Sequence, residues 1–152
     1  TPILVNWLTD MSWIGGMGLM FQKEVAQRIC AQPGSNHYGR LAVLAQAVCR
    51  TRIAFTLPPG AFKPPPKVAS AVAVLIPLDQ QDRFEDLKSL QTVTAAAFGQ
   101  RRKMLRASLK SIMPNGVTAE DMLNAIGIDP QRRAETLKQQ EFRDLTTAWG
   151  QL

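Results

Sequence analysis

Two apolar runs of β character, residues 52–57 and 69–78, are separated by Ala61-Phe62-Lys63-Pro64-Pro65-Pro66-Lys67-Val68. Three consecutive prolines fix φ at each position and leave three main-chain nitrogens without a proton, so neither a helix nor an inner strand can run through them. The segment reads as a stiff loop joining two buried strands. Phe62 is the one large side chain on it, flanked by Lys63 and Lys67. A ring held stiffly beside positive charge suits a flat anionic partner, meaning an unstacked base with its phosphates. The plainer alternative is that Phe62 tucks under its own loop as a small hydrophobic anchor.

Charge points the same way. The 152 residues carry a formal net charge of +6 and a pI near 9.8. That favours a polyanionic partner while saying nothing about fold. Cys30 and Cys49 stand apart without CxxC spacing and read as reduced thiols of a cytoplasmic protein. The single histidine, His37, lies in a polar turn, which argues against a zinc site. No run is long and apolar enough to span a bilayer, so no membrane partner is expected. The chain opens Thr1-Pro2-Ile3-Leu4, with Thr1 suited to cap a helix and Pro2 to its first position. Ile3, Leu4, Trp7 and Leu8 share one face. A start at a helix cap without an initiator methionine leads to the expectation of a downstream piece of a longer protein.

Gly15-Gly16-Met17-Gly18 is a turn without the strand-before, helix-after context of a phosphate loop. Met17 to Phe21 is apolar on both alternations and predicts a strand covered on both faces. A short helix follows with Val25 and Ile29 inward, then a turn at Pro33-Gly34, then a helix carrying Leu41, Leu44, Ala45 and Val48. Lys23, Glu24 and Arg40 read as structural, and Trp7, Trp13 and Trp149 as packing residues. In the last strand Val72, Val74 and Ile76 alternate against Ala71, Ala73 and Leu75.

Strand character stops at Asp79. The expected organisation is α/β over 1–78, with three strands, and a small helical domain over 79–152. Residues 84–98 predict a helix. The basic run Arg101-Arg102-Lys103-Met104-Leu105-Arg106-Ala107-Ser108-Leu109-Lys110 has helical periodicity, with Arg102, Arg106 and Lys110 four apart and Lys103 beside them, which predicts one charged stripe. Thr118 with Asp121 resembles a capping box, Gly127 suits a C-terminal stop, and Phe142, Leu145 and Trp149 line a last helix.

Six segments in order carry a resemblance: Thr1-Pro2-Ile3-Leu4; Gln22-Lys23-Glu24-Val25-Ala26-Gln27-Arg28-Ile29; Tyr38-Gly39-Arg40-Leu41-Ala42-Val43; Phe62 to Val72; Phe98-Gly99-Gln100-Arg101-Arg102-Lys103-Met104-Leu105-Arg106; and Gly127-Ile128-Asp129-Pro130 with Arg133-Ala134-Glu135. Together they resemble the bacterial small-subunit rRNA adenine dimethyltransferases of the KsgA type, across nearly the whole chain. They resemble these more than the erythromycin-resistance methylases of large-subunit rRNA or the mitochondrial transcription-factor relatives. The resemblance implies the C-terminal part of a class I, Rossmann-like methyltransferase sheet followed by a small all-α domain. The strands here would be the last three of seven, and an upstream lobe would supply a neighbour to the first. The open edge of strand 17–21 is then expected to associate with that lobe or another chain, or to leave residues 1–20 disordered.

The resemblance also implies S-adenosylmethionine-dependent dimethylation of N6 on two adjacent adenosines near the 3′ end of small-subunit rRNA, within an assembling subunit. The amine is a poor nucleophile because its lone pair delocalises into the ring. The base must be flipped out, held flat and aligned with the methyl donor. In the family an Asn-Leu-Pro-Tyr motif supplies acceptors and one stacking face, and a Phe-x-Pro-x-Pro loop a second face. Phe62, Pro64 and Pro66 match the latter. The former, the glycine-rich cofactor loop and the acidic ribose ligand are not in this sequence, so the chain alone is not expected to methylate. Ala69 stands where family members often have Asp. Lys63, Lys67, Arg101, Arg102, Lys103, Arg106 and Lys110 are the candidate contacts to rRNA phosphates. Two other readings stay open: a non-catalytic rRNA-binding ribosome-assembly module, and a protein-interaction module whose charge only solubilises it.

Overall fold

The computed structural model describes residues 2–9 and 15–152. Helix α1 (Pro2–Thr9) is followed by strand β1 (Met17–Gln22), helices α2 (Lys23–Ile29) and α3 (Arg40–Gln46), and strands β2 (Cys49–Leu57) and β3 (Ser70–Pro77). Helices α4 (Leu87–Gly99), α5 (Leu105–Ser108), α6 (Ala119–Ala125) and α7 (Gln139–Gly150) complete the chain. The expectations that fall on Thr1 and Trp13, and on the side chain of Ile3, lie outside what is described.

β3 is central in a three-stranded sheet of order β1-β3-β2 and pairs antiparallel with both neighbours. Its alternation decides which face is buried. Ala71, Ala73 and Leu75 are fully buried, and they pair with Phe21, Leu19 and Met17, all packed against the core. The opposite face is open: Met20 is 56% exposed, Phe55 53% and Ile76 43%. The expectation that β1 is covered on both faces is therefore corrected. Helices α2 and α3 pack against one side of the sheet, and the apolar residues of the other side face outward. The outer edges of β1 and β2 have no partner strand among the described residues. A bulge between Ile53 and Phe55 interrupts the β2 ladder and turns Phe55 outward.

The helix expected from Phe84 starts at Leu87, because the Asp86 carboxylate accepts the Ser89 N–H at 3.1 Å and caps it. The Phe84 N–H instead donates to the Ala47 carbonyl, 2.9 Å away. α4 packs on both α3 and α7. The buried residues of the sheet part and the helical part form one cluster, with Phe98 linking Tyr38 edge-on at 6.1 Å and Phe142 in a stack at 5.6 Å. The buried Tyr38 hydroxyl donates to the Leu137 carbonyl, and the Gly34 N–H to the Glu135 carbonyl, both at 2.8 Å. The Thr118 side chain caps α6 through the Asp121 N–H, and Gly127 adopts φ +76°, a left-handed stop at which glycine avoids the Cβ penalty. No described helix is long and apolar enough to cross a membrane.

Candidate nucleic-acid interface

The proline loop leaves β2 through a short 3-10 turn (Pro59–Ala61) whose first residue satisfies proline's fixed φ. Ala61 and Phe62 N–H groups donate to the carbonyls of Pro58 and Pro59, which closes the turn and sets Phe62 just beyond it in extended backbone. The Lys63–Pro64 bond is cis. At its far end the loop is tied down by the main chain: the Lys23 N–H donates to the Ala69 carbonyl at 2.9 Å. That tie needs no side chain at residue 69.

Phe62 is half-buried, does not belong to the hydrophobic cluster, and stacks on no other ring among the described residues. Lys63, Pro64, Pro65, Pro66, Lys67 and Val68 are exposed. The loop therefore presents a ring of partial exposure between two solvated ammonium groups. Beside its C-terminal end, Gln22, Lys23, Gln27 and Val68 line a hollow of about 320 Å³.

The basic run is not one helical stripe, and that expectation is corrected. Arg101, Arg102 and Lys103 sit in a turn after α4, Met104 is extended (φ −68°, ψ 152°), and α5 begins only at Leu105. The cause is tertiary. The N–H groups of Leu105 and Arg106 donate to the carbonyls of Arg132 and Pro130 instead of to carbonyls one turn back. α5 then tightens into a 3-10 turn (Leu109–Ile112). Arg102, Lys103, Arg106 and Lys110 are all exposed, spread over the turn, α5 and the 3-10 turn.

Arg101 differs from its neighbours. Its guanidinium donates to the main-chain carbonyls of Tyr38 and Asn36, lies 3.7 Å from the Glu135 carboxylate, and sits 5.8 Å over the Phe98 ring. It clips the end of α4 to the loop before α3. The structure thus gives Arg101 a positioning task that the sequence pattern does not show.

Of the residues read as structural, Glu24 pairs with Arg28 at 2.9 Å across one turn of α2, and the Trp149 indole donates to the Ile112 carbonyl at 2.9 Å. Arg40 departs from expectation: it is exposed and its guanidinium makes no hydrogen bond or ion pair among the described residues. It borders a hollow of about 690 Å³ with Arg28, His37 and Arg101. Sequence reasoning missed this grouping because Arg101 joins Arg28, His37 and Arg40 from a distant part of the chain. The local signal was the Glu24/Arg28 spacing, which indicates a solvated helix face and no more. Arg132 also went unnoticed, though it donates to the Glu141 carboxylate and to the Thr136 carbonyl.

The turn expected at 15–18 is shorter than that: Met17 and Gly18 already belong to β1, so Gly15 and Gly16 lead into a strand and not into a helix N-terminus.

The family model for ribosomal RNA adenine dimethylase matches residues 1–149. Proteins named ribosomal RNA small subunit methyltransferase A are 54% identical in Gluconobacter oxydans over 95% of this chain, 54% in Mesorhizobium japonicum over 97%, and 51% in Caulobacter vibrioides over 97%. The alignments cover 46%, 52% and 55% of those proteins, so the chain spans about half the length of the curated relatives it matches. A dimethyladenosine transferase from Plasmodium falciparum superposes with a TM-score of 0.81 at 23% identity, over 95% of this chain and 60% of that one. The 23S rRNA methyltransferase ErmE gives 0.61 at 18% identity, over 98% of this chain and 60% of that one, and both likenesses speak to fold. A match over 149 of 152 residues, with half-identical relatives along the same stretch, settles membership: this chain belongs to the ribosomal RNA adenine dimethylase family.

Proposed function

We propose that this chain is the base-stacking and RNA-docking half of an enzyme that dimethylates N6 of two adjacent adenosines near the 3′ end of small-subunit rRNA. The observation that carries the reading is Phe62. It is a half-buried ring outside the hydrophobic cluster, on a loop braced by Pro64 and Pro66 and flanked by exposed Lys63 and Lys67. Membership of the family and relatives named as small-subunit methyltransferases support it.

On this reading Phe62 covers one face of the extruded adenine. The prolines hold the ring in place before binding, so little entropy is lost when the base arrives. Lys63 and Lys67 neutralise the phosphates on either side of the flipped nucleotide. Arg102, Lys103, Arg106 and Lys110 engage the rRNA of an assembling subunit from the helical part, 79–152, and Arg101 holds that part against the α3 loop. S-adenosylmethionine is the methyl donor. The chain by itself is inactive. The open edge of β1 is where a cofactor-binding lobe would continue the sheet. Such a substrate places the protein in the cytoplasm.

The test is methyl transfer to unmodified small subunits by the chain together with a cofactor lobe. Phe62→Ala is expected to lower turnover roughly 10- to 100-fold, since stacking contributes about 1–3 kcal/mol per base. Phe62→Tyr is expected to retain most of the activity. Equal turnover of wild type and Phe62→Ala would remove the ring from the mechanism. Particle binding that is unchanged by charge reversal at Arg102 and Arg106 would remove the RNA-docking role.

A further inference from the structure

Helix α3 is gripped at both ends by arginines from the helical part. Before its first residue, Arg101 donates to the main-chain carbonyls of Asn36 and Tyr38. Just past its last residue, Arg143 of α7 donates from Nη2 to the Ala47 carbonyl at 3.0 Å. Its Nη1 donates to the Asp82 carbonyl at 2.8 Å, on the connection between β3 and α4. The Ala47 carbonyl also accepts the Phe84 N–H at 2.9 Å, so one carbonyl holds both α7 and that connection.

The two ends are not equally well tied. At the start of α3, Arg101 is backed by the Tyr38 hydroxyl on the Leu137 carbonyl and by the Gly34 N–H on the Glu135 carbonyl. At the far end, Arg143 is the one side chain of the helical part that is bonded there among the described residues. It is a poor choice for stability alone. Arg143 is half-buried, pairs with no carboxylate within 4 Å among the described residues, and leaves its buried Nε without an acceptor. Burial pulls the guanidinium below its ordinary value, with the Asp82 charge opposing. A desolvated donor left unmade works against stability, and a well-packed apolar side chain would be spared it. What the guanidinium adds is direction, since one planar fork fixes two carbonyls from separate segments.

The seven residues of α3 span about 10 Å. One grip leaves the helical part free to pivot about it, whereas two grips this far apart fix the angle. That angle is carried to Phe62 through further main-chain bonds. Gln46, the last residue of α3, donates to the Ile29 and Ala31 carbonyls at the end of α2, at 3.1 and 2.8 Å. At the start of α2, the Lys23 N–H holds the Ala69 carbonyl at the end of the proline loop. α3 also packs on β2, which runs into that loop.

We infer that Arg143 is a positioning residue for the methyl transfer: together with Arg101 it fixes the angle between the helical part and the Phe62 loop, so that docking at Arg102 and Arg106 is converted into alignment of the target base. The inference rests on the function proposed above and adds a residue which that reading does not use. Binding energy from a remote contact raises turnover only when the scaffold between that contact and the reacting base holds its shape.

The experiment measures kcat and KM for methyl transfer to unmodified small ribosomal subunits by the chain together with a cofactor lobe. It is run at a temperature where melting curves show every variant folded. Arg143→Ala is combined with the pair Arg102→Ala and Arg106→Ala. In the wild-type background the pair is expected to raise KM and also to lower kcat. Arg143→Ala is expected to lower kcat roughly tenfold or more, with KM within about twofold of wild type. Added to Arg143→Ala, the pair should still raise KM but leave kcat where it was, because docking no longer aids alignment. Loss of folding alone would not remove that dependence. Arg143→Lys, which reaches one carbonyl at a time, repeats the series should the alanine variant unfold. An unchanged kcat for the Arg143 variant overturns the inference, as does a pair effect on kcat that is the same in both backgrounds. If the pair changes neither KM nor kcat in the wild-type background, the RNA-docking reading itself fails, and the inference with it.

Discussion

The Arg101 guanidinium donates to the main-chain carbonyl of Tyr38, 63 residues earlier in the chain. Tyr38 in turn donates its hydroxyl to the carbonyl of Leu137, 99 residues later, and packs edge-on against Phe98, above which Arg101 lies. Arg101 thus binds the backbone at Tyr38 while Tyr38 reaches on to the backbone at Leu137, and the Phe98 ring touches both side chains.

Arg101→Ala is expected to destabilise the chain by about 1–3 kcal/mol, because it removes charge-assisted bonds to two carbonyls and a cation–π contact. Arg102→Ala, which touches nothing comparable, is expected to stay within about 0.5 kcal/mol of wild type. Urea unfolding of the two variants checks this. Equal midpoints would show that the Arg101 contacts contribute nothing net to stability.

Tyr38→Phe keeps the ring contact with Phe98 and deletes only the hydroxyl. The Leu137 carbonyl loses a buried 2.8 Å bond, and a loss of about 1–3 kcal/mol is expected. Burial also pushes the Tyr38 hydroxyl well above the ordinary phenol range, with the Glu141 charge adding to the effect, so this group stays protonated and donating through neutral pH. Thermal melts of wild type and variant at one pH measure the difference.

The Arg132 guanidinium, followed by the Lys138 N–H, holds the Glu141 carboxyl below its ordinary value of 4.5. A depressed folded-state pKa means that the stabilisation is complete above 4.5 and is lost as pH falls through the lower, folded value. The unfolding midpoint is therefore expected to drop between pH ~5 and ~3, and Glu141→Gln should flatten part of that slope. Asp86, lowered in the same direction by its bonds from Ser89, supplies a remaining slope. A variant with the wild-type pH profile would show that Glu141 is not coupled to folding.

Burial pushes the Cys49 thiol up to about 11, against a smaller opposing influence of Arg83, and Cys49 is 2% exposed. Cys30 is raised too, again by burial, but it is only half-buried. Iodoacetamide at neutral pH is expected to label Cys30 slowly and Cys49 only when the chain unfolds, since the thiolate is the reactive form. Mass spectrometry of the labelled peptides reads the order. Fast native labelling of Cys49 would contradict its placement.

The three strands, the loop joining the last two, and the α6 cap at Thr118 were legible in the sequence because each depends on contacts a few residues apart. The prolines at 64–66 dictate a loop wherever they occur, and alternation of Ala71, Ala73 and Leu75 against Val72, Val74 and Ile76 fixes two faces of β3. The sequence could not say that one of those faces, with Met20 and Phe55, stays open, because that depends on which helices pack where. It also could not show that the run from Arg101 to Lys110 breaks at Met104. Helical periodicity is a local signal, whereas the carbonyls of Arg132 and Pro130 that capture the Leu105 and Arg106 N–H groups arrive from about 25 residues away. For the same reason Phe62 and its lysines could be picked out as a candidate site from neighbouring residues alone, while the hollow bordered by Arg28, Arg40 and Arg101 emerged only once folding had brought the end of α4 beside α2 and the start of α3.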